Sequence, residues 1–328
     1  ISAYFKMEMT QNINKTRLDC FIYDPGNRKA WLAVHPDPAD QFIVKCPKEE
    51  LTLYLRPTPE TKPSVRINTQ HSIPILKSNL QKAVRRFESD VAMASAAAML
   101  SYGKEGFNEL VRRLPIIYIE DVCLIDHYTI VIWLMLAAAR CPDFQPTYLD
   151  EWILIQIAGD LARTQEVYIE EDSHGGEVTS YKSIHVINIM HDSDCPPWQL
   201  GLVKTIFIRS LYGGMKGDMI MLQRSICHYL KNPEDIKKSC WEEIERCVPD
   251  ELRILMVAID FHPLPHMLAE LEKKTQINRD KIKEVIWFAY SGVNLRKSWT
   301  LEKRDDYKNT PEFFTLKAPI NMFVSKYL

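Results

Sequence analysis

The sequence predicts a mainly α-helical protein with a small β part at its N-terminal end. Three observations carry this. Long segments repeat apolar residues at steps of three and four, the helical period. Only 11 of the 328 residues are glycine, which disfavours a turn-rich all-β chain. Residues 1–57, in contrast, break into short apolar runs separated by turn signals. Hydrophobic residues make up 46%, ample for a core, and the length suits about two domains. The expected division is a small β domain over 1–57, a linker over 58–77, and a helical domain over 78–328. A β-hairpin insertion is expected near 166–190.

In the N-terminal part the runs are AYFKMEM, LDCFIYD, AWLAVHP, QFIVKC and LTLYLRP. They predict a β-meander or barrel of about five strands. Tyr4, Phe21, Tyr23, Trp31, Phe42 and Tyr54 supply its aromatics. These form either a core packed against helices or a stacking surface for single-stranded nucleic acid. No Lys/Arg cluster accompanies them, which favours the core. The proline-rich polar stretch after residue 57 reads as the linker.

Ser78 and Gln81 have the spacing of a capping box and predict a helix start. Leu80, Val84, Phe87, Val91 and Ala94 then carry the apolar stripe. The small residues from Ala92 to Ala98 leave room for a close helix neighbour. A second helix holds Phe107, Leu110, Val111 and Leu114 and is expected to end or kink at Pro115. Ile116 to Ile119 reads as a buried turn or short strand. Asp126 is the expected cap of a third helix, apolar all round from Ile130 to Ala139 and hence buried. That run is far short of the ~20 apolar residues of a membrane span.

Thr147 caps a helix through Ile153, Ile157 and Leu161. Glu166 to Met190 reads as two extended segments around Gly175-Gly176. Asp194 caps a helix through Leu211 that Gly213-Gly214 stops. Further helices are expected through Leu230, from Asn232-Pro233 to Ile244, from Pro249-Asp250 to Ile259, from His266 to Lys274, and after Asn278. The tail from Arg296 is polar and mixed, with an end apolar enough to dock.

The net charge of −2 gives no global basic footprint, so any nucleic-acid contact must be local. Arg85-Arg86 and Arg112-Arg113 lie on adjacent helices. They can bind phosphates or pair with Glu88, Asp90, Glu120 and Asp121. Gly213-Gly-Met-Lys-Gly-Asp218 is either a plain interhelical turn or an anion site formed by backbone N–H groups and Lys216. Asp260, His262 and His266 are the best metal candidates, with ligand types that suit Zn or Mn. His185, His191, Asp192 and Asp194 complete such a site only if the fold brings them near. Otherwise these are helix-end and loop polars. No phosphate-binding loop, GxGxxG or GxSxG occurs. No catalytic residue, and no cofactor beyond that metal, is therefore predicted. The eight cysteines are scattered without a CxxC pair and read as reduced thiols of the cytoplasm or nucleus. No signal peptide, transmembrane helix or targeting tail is visible, although the first residue is Ile rather than Met.

Residues 80–125 resemble the helical region that follows the ATPase core in clamp-loader-like AAA+ ATPases of the MgsA/RarA type. The resemblance rests on Leu80, Lys82, Arg85-Arg86, Asp90, Ala92, Met99-Leu100, Gly103, Arg112-Arg113-Leu114, Ile116-Ile117, Glu120-Asp121 and Leu124. It implies helices that hold subunits together and accompany work on replication forks. The ATPase domain with its phosphate loop is missing, so ATP hydrolysis is not implied.

The expected function is a non-enzymatic assembly or adaptor subunit of a nucleic-acid-processing complex of the replication or repair kind. Its partners would be other protein subunits, and DNA or RNA through a local basic patch, with no membrane. One alternative is a metal-dependent hydrolase or nuclease using Asp260, His262 and His266. Another is a single-stranded nucleic-acid binder acting through residues 1–57.

Overall fold

The computed structural model describes residues 20–33, 42–45, 51–57, 65–168, 195–239 and 247–328. The run AYFKMEM, most of the expected hairpin insertion, Asp194, and the segment around Trp241 and Ile244 lie outside these residues. The architecture is mainly helical with a small β part, as the sequence predicts. By internal contact the chain divides into two units. The first comprises 1–64, 111–154 and 168–241; the second comprises 65–110, 155–167 and 242–328.

The first unit contains the sheet. Strands β1 (Cys20–Asp24), β2 (Lys29–Ala33), β3 (Phe42–Lys45) and β4 (Thr52–Leu55) lie in the order β2-β1-β4-β3. β1 and β4 pair in parallel, so two antiparallel hairpins stand side by side and the connectivity is not that of a meander. The β1–β2 turn is tied by Asp24, whose carboxylate accepts from the Asn27 N–H, the Asn27 amide and Arg56. Every residue of β1 is buried. Its cover is α4 (Tyr128–Arg140). Trp133 Nε1 donates to the Phe21 carbonyl at 2.9 Å, and its ring lies 4.9 Å from that of Tyr23. Phe21 and Tyr23 are thus packing residues. Helices α6 (Pro197–Tyr212) and α7 (Lys216–Lys231) pack on each other, and α6 also packs on α4.

Asp126 is not the cap of α4. Its carboxylate accepts from Ser239 N, and residue 127 occupies the cap position. The reason is a short bridge in which Lys237 N donates to the Leu124 carbonyl and Asp126 N to the Lys237 carbonyl. Among the described residues of the helix expected from Pro233, a 3₁₀ turn, Pro233–Asp235, precedes that bridge; the part around Trp241 and Ile244 lies outside them.

The second unit opens with α1 (Ile73–Arg85) and α2 (Ser89–Leu100). The capping box at Ser78 is not used: Ser78 and Gln81 are buried inside α1, which begins at Ile73 within the stretch read as linker. Pro74 sits in the first turn, where its missing N–H costs nothing. Helix α3 (Gly103–Asp121) continues through Pro115. Leu114 and Ile116 to Ile119 are all buried, so packing outweighs the lost hydrogen bond. The alanine-rich α2 does admit close neighbours. A Cβ on Gly106 would stand 1.7 Å from the Met99 carbonyl oxygen, and one on Gly159 of α5 (Tyr148–Arg163) would stand 2.8 Å from Met93.

The helix expected from Pro249 is absent; a 3₁₀ turn, Met256–Ala258, is all that forms. Buried Asn79 explains this. Its amide donates to the Arg253 carbonyl and accepts from Leu255 N, holding that backbone as a neighbouring strand would. Helices α8 (His266–Thr275), α9 (Arg279–Ile286), α10 (Ser298–Lys308) and α11 (Pro311–Val324) follow. Asn278 caps α9 and Thr310 caps α11. Met267, Leu271, Ile282, Val285, Leu316 and Phe323 centre their shared core.

After α9 comes a π-helical turn, Trp287–Ser291. Arg86 Nη2 donates to the Tyr290 carbonyl at 2.6 Å and Arg85 Nη1 to the Ser291 carbonyl at 3.0 Å. Arg296 gathers four more carbonyls, those of Val84, Leu161, Ala162 and Thr164, at 2.6–3.0 Å. Its guanidinium also lies 4.2 Å from the centre of the Phe87 ring. Phe87 adopts a φ of 60°, a strained value for a bulky side chain. Arg296→Ala is expected to lower stability by about 3 kcal/mol or more, since several helix-end carbonyls lose a charged donor. Arg296→Lys should recover less than half, because an ammonium cannot fork to several acceptors. Urea denaturation of the variants measures both.

Candidate nucleic-acid interface

The paired arginines of the sequence have different fates. Arg85 is 3% exposed and, with Arg86, is committed to the π turn. Glu88 accepts from Arg253 at 2.7 Å. Arg112 is exposed and Arg113 half-buried on α3, in the first unit.

There they join residues the sequence did not single out. Tyr212 ends α6, and Gly213-Gly214-Met215 leads into α7 at Lys216. Gly213 has a φ of 94°, a conformation that favours glycine. The Arg140 and Arg209 guanidinium groups lie 5.9 and 6.0 Å from the Tyr212 ring centre. Arg209 Nη1 donates to the Gly213 carbonyl at 2.9 Å. Burial pulls the Arg209 guanidinium below its ordinary value, and the charge of Arg112 acts in the same direction; Tyr128 and Asp218 oppose them. Burial raises the Asp218 carboxyl, against the charges of Arg113 and Arg209. The turn from Gly213 to Gly217, with Lys216, is exposed. Arg140 and Arg209 thus flank the Tyr212 ring beside an open helix start, Arg112 lies within the field of Arg209 and Arg113 within that of Asp218, and Lys216 begins the helix. Such a surface suits a polyanion. Arg112-Arg113, Lys216 and the glycine pair were legible in advance; Tyr212, Arg140 and Arg209 were not. Arg209 and Arg140 end apolar helices, where a basic residue reads as an ordinary partner of the helix dipole.

The metal candidates are not assembled. Asp260 is 1% exposed, with Lys82 Nζ 3.2 Å from Oδ2. Its Oδ1 accepts from the His262 N–H at 2.8 Å and faces His262 Nδ1 at 3.1 Å. His266 instead bonds the Tyr327 hydroxyl through Nε2 at 2.9 Å. Among the described residues no three His, Cys, Asp or Glu side chains are placed to hold a metal ion. His185, His191, Asp192 and Asp194 lie outside them.

A cavity of about 600 Å³ opens at the start of α2, lined by Phe87, Ser89, Arg163, Glu251 and Arg253 among others. Its charges are largely engaged, Arg253 with Glu88 and Arg163 with Ser89 Oγ.

No family model, curated protein or solved structure matches the chain. No described helix is long and apolar enough to cross a membrane.

Burial pushes the Asp260 carboxyl up, but the His262 hydrogen bonds and the charges of Lys82 and His262 outweigh it and hold it at about 2. A folded-state value below the unfolded one contributes stability that is fully present above about pH 4 and is lost as the pH falls toward 2. Asp260→Asn should cost on the order of 3 kcal/mol at neutral pH, because it removes the carboxylate charge that faces buried Lys82. It should also flatten the acid limb of the stability curve between about pH 4 and 2. Denaturation midpoints across that range test the assignment.

Proposed function

We propose that the chain is a non-enzymatic assembly or adaptor subunit of a nucleic-acid-processing complex. The observation that carries this reading is the pair Arg140 and Arg209 flanking Tyr212, with Arg112 and Arg113 in the field of Arg209 and Asp218 and Lys216 at the start of α7. On a chain with a net charge of −2, so local a basic cluster matches a phosphate backbone, and the aromatic ring at its centre offers a base a stacking surface. The resemblance of residues 80–125 to the helical region of MgsA/RarA-type ATPases supports the same direction, toward subunit assembly rather than ATP hydrolysis.

Contact with other proteins would use a different surface. On the outer side of α11, Phe314 and Met322 are 66% and 58% exposed, an apolar display of the kind that marks interaction sites. The described cysteines are not in disulfides, and Cys20, Cys123, Cys141 and Cys195 are buried, which fits a reducing compartment such as cytoplasm or nucleus.

Anisotropy titrations of labelled single- and double-stranded oligonucleotides between about 50 and about 200 mM salt test the reading. The double variant Arg112→Gln/Lys216→Gln should weaken binding about tenfold at low salt and reduce the salt slope by about two. Absence of binding at low salt, or an unchanged slope in the variant, would remove the nucleic-acid part of the proposal.

A further inference from the structure

Arg209 is 4% exposed, yet it forms no ion pair with a carboxylate among the described residues. Its one hydrogen bond, from Nη1, goes to a neutral carbonyl, and its Nε is buried without a partner. The Tyr128 hydroxyl, whose titration the Arg209 charge influences, is likewise buried without a partner. A buried cation with neutral partners and a like charge in its neighbourhood is costly unless an anion joins it. Asp218 does not fill that role: it lies beyond ion-pair reach of Arg209, and Arg113 draws on the same carboxylate.

What lies next to this guanidinium is an open helix start. A Cβ on Gly214 would stand 3.8 Å from Arg209 Nη2 and 4.0 Å from Nη1, so the cation lies directly against the glycine turn. No side chain caps α7. The N–H groups of Lys216, Gly217 and Asp218 therefore have no acceptor within the helix. Residues 213–217 are exposed, so a ligand reaches the turn from solvent while Arg209 meets it from beneath. Lys216 stands at the same rim.

We propose that the turn between α6 and α7 is a phosphate-binding subsite, with Arg209, Lys216 and the first N–H groups of α7 as its donors. A phosphate group is compact, multiply charged and rich in acceptors, which suits a guanidinium fork beside a helix N-terminus. The subsite draws on the same basic cluster as the functional reading, but it holds whether a nucleic-acid strand or a small phosphorylated molecule supplies the group.

The test is thermal unfolding of the full chain with inorganic phosphate titrated against chloride at constant ionic strength. Tm should rise with the logarithm of phosphate above its Kd, by about 5 °C once phosphate exceeds that Kd about a hundredfold. Arg209→Met keeps length and removes the charge, and it should abolish the shift. Two variants of less buried residues keep the test open should Arg209→Met not fold. Lys216→Gln should weaken phosphate binding about threefold or more, and Asp218→Asn, by removing a competing negative charge, should tighten it by a similar factor. A Tm that follows chloride alone overturns the subsite, as does a phosphate shift unchanged in all folded variants. Comparing 5′-phosphorylated with 5′-hydroxyl oligonucleotides then assigns the source: preference for the phosphorylated strand points to a nucleic-acid end, equal affinity to an internal strand phosphate, and binding of neither to a small phosphorylated molecule. A phosphate shift without oligonucleotide binding keeps the subsite and removes the nucleic-acid reading. Oligonucleotide binding without a phosphate shift does the reverse.

Discussion

The second unit depends on the Arg296 guanidinium. A helix leaves its last four carbonyls without internal donors, and α1 and α5 both bring such groups to one place. Arg296 answers four carbonyls there at once. A planar fork can do this and a point charge cannot. The strained backbone of Phe87 is part of the same arrangement, because it sets the ring against the guanidinium. Arg85 and Arg86 reach from the end of α1 to the carbonyls of the π turn, and Leu295 N returns a bond to the Arg85 carbonyl. Arginine is here a backbone ligand.

The first unit sets a different balance. Trp133 helps secure its sheet, bonding the backbone of the inner strand β1 and covering it. Its buried Arg209 forms no ion pair with a carboxylate among the described residues. Similar residues in the two units thus do opposite things. Where carbonyls converge, guanidinium groups are consumed. Where a helix begins, positive charge accumulates beside N–H groups that also seek an acceptor. That contrast separates the arginines that the fold consumes from Arg209, the one assigned above to the proposed phosphate subsite.

The general architecture was legible because helical periodicity and strand runs are local properties. Thr147, Asn278 and Gly213-Gly214 marked real helix ends because capping and left-handed geometry are local too. The misreadings share one cause, the action of distant residues. Ser78 and Gln81 carry a cap pattern, but packing buries them inside a helix that Pro74 had already started. Pro115 signals an end that the burial of its neighbours overrides. Residues 250–259 have helical spacing, but Asn79 captures their backbone from far away in sequence. The site followed the same rule. Lys216 lies within the motif that announced it, whereas Arg209 matters through its burial and the absence of a counter-charge, and neither is written in local sequence.

The close passage of α3 beneath the end of α2 carries a further implication for the history of the fold. At Gly106 there is room for a hydrogen and nothing larger, since the obstacle is main chain and has no rotamer to change. Drift cannot explore this position without moving two helices together. Descendants of a common ancestor that retain this packing should therefore be monomorphic at the position, even after their surfaces have diverged beyond recognition. A single glycine would then serve as a marker of kinship where overall similarity has faded.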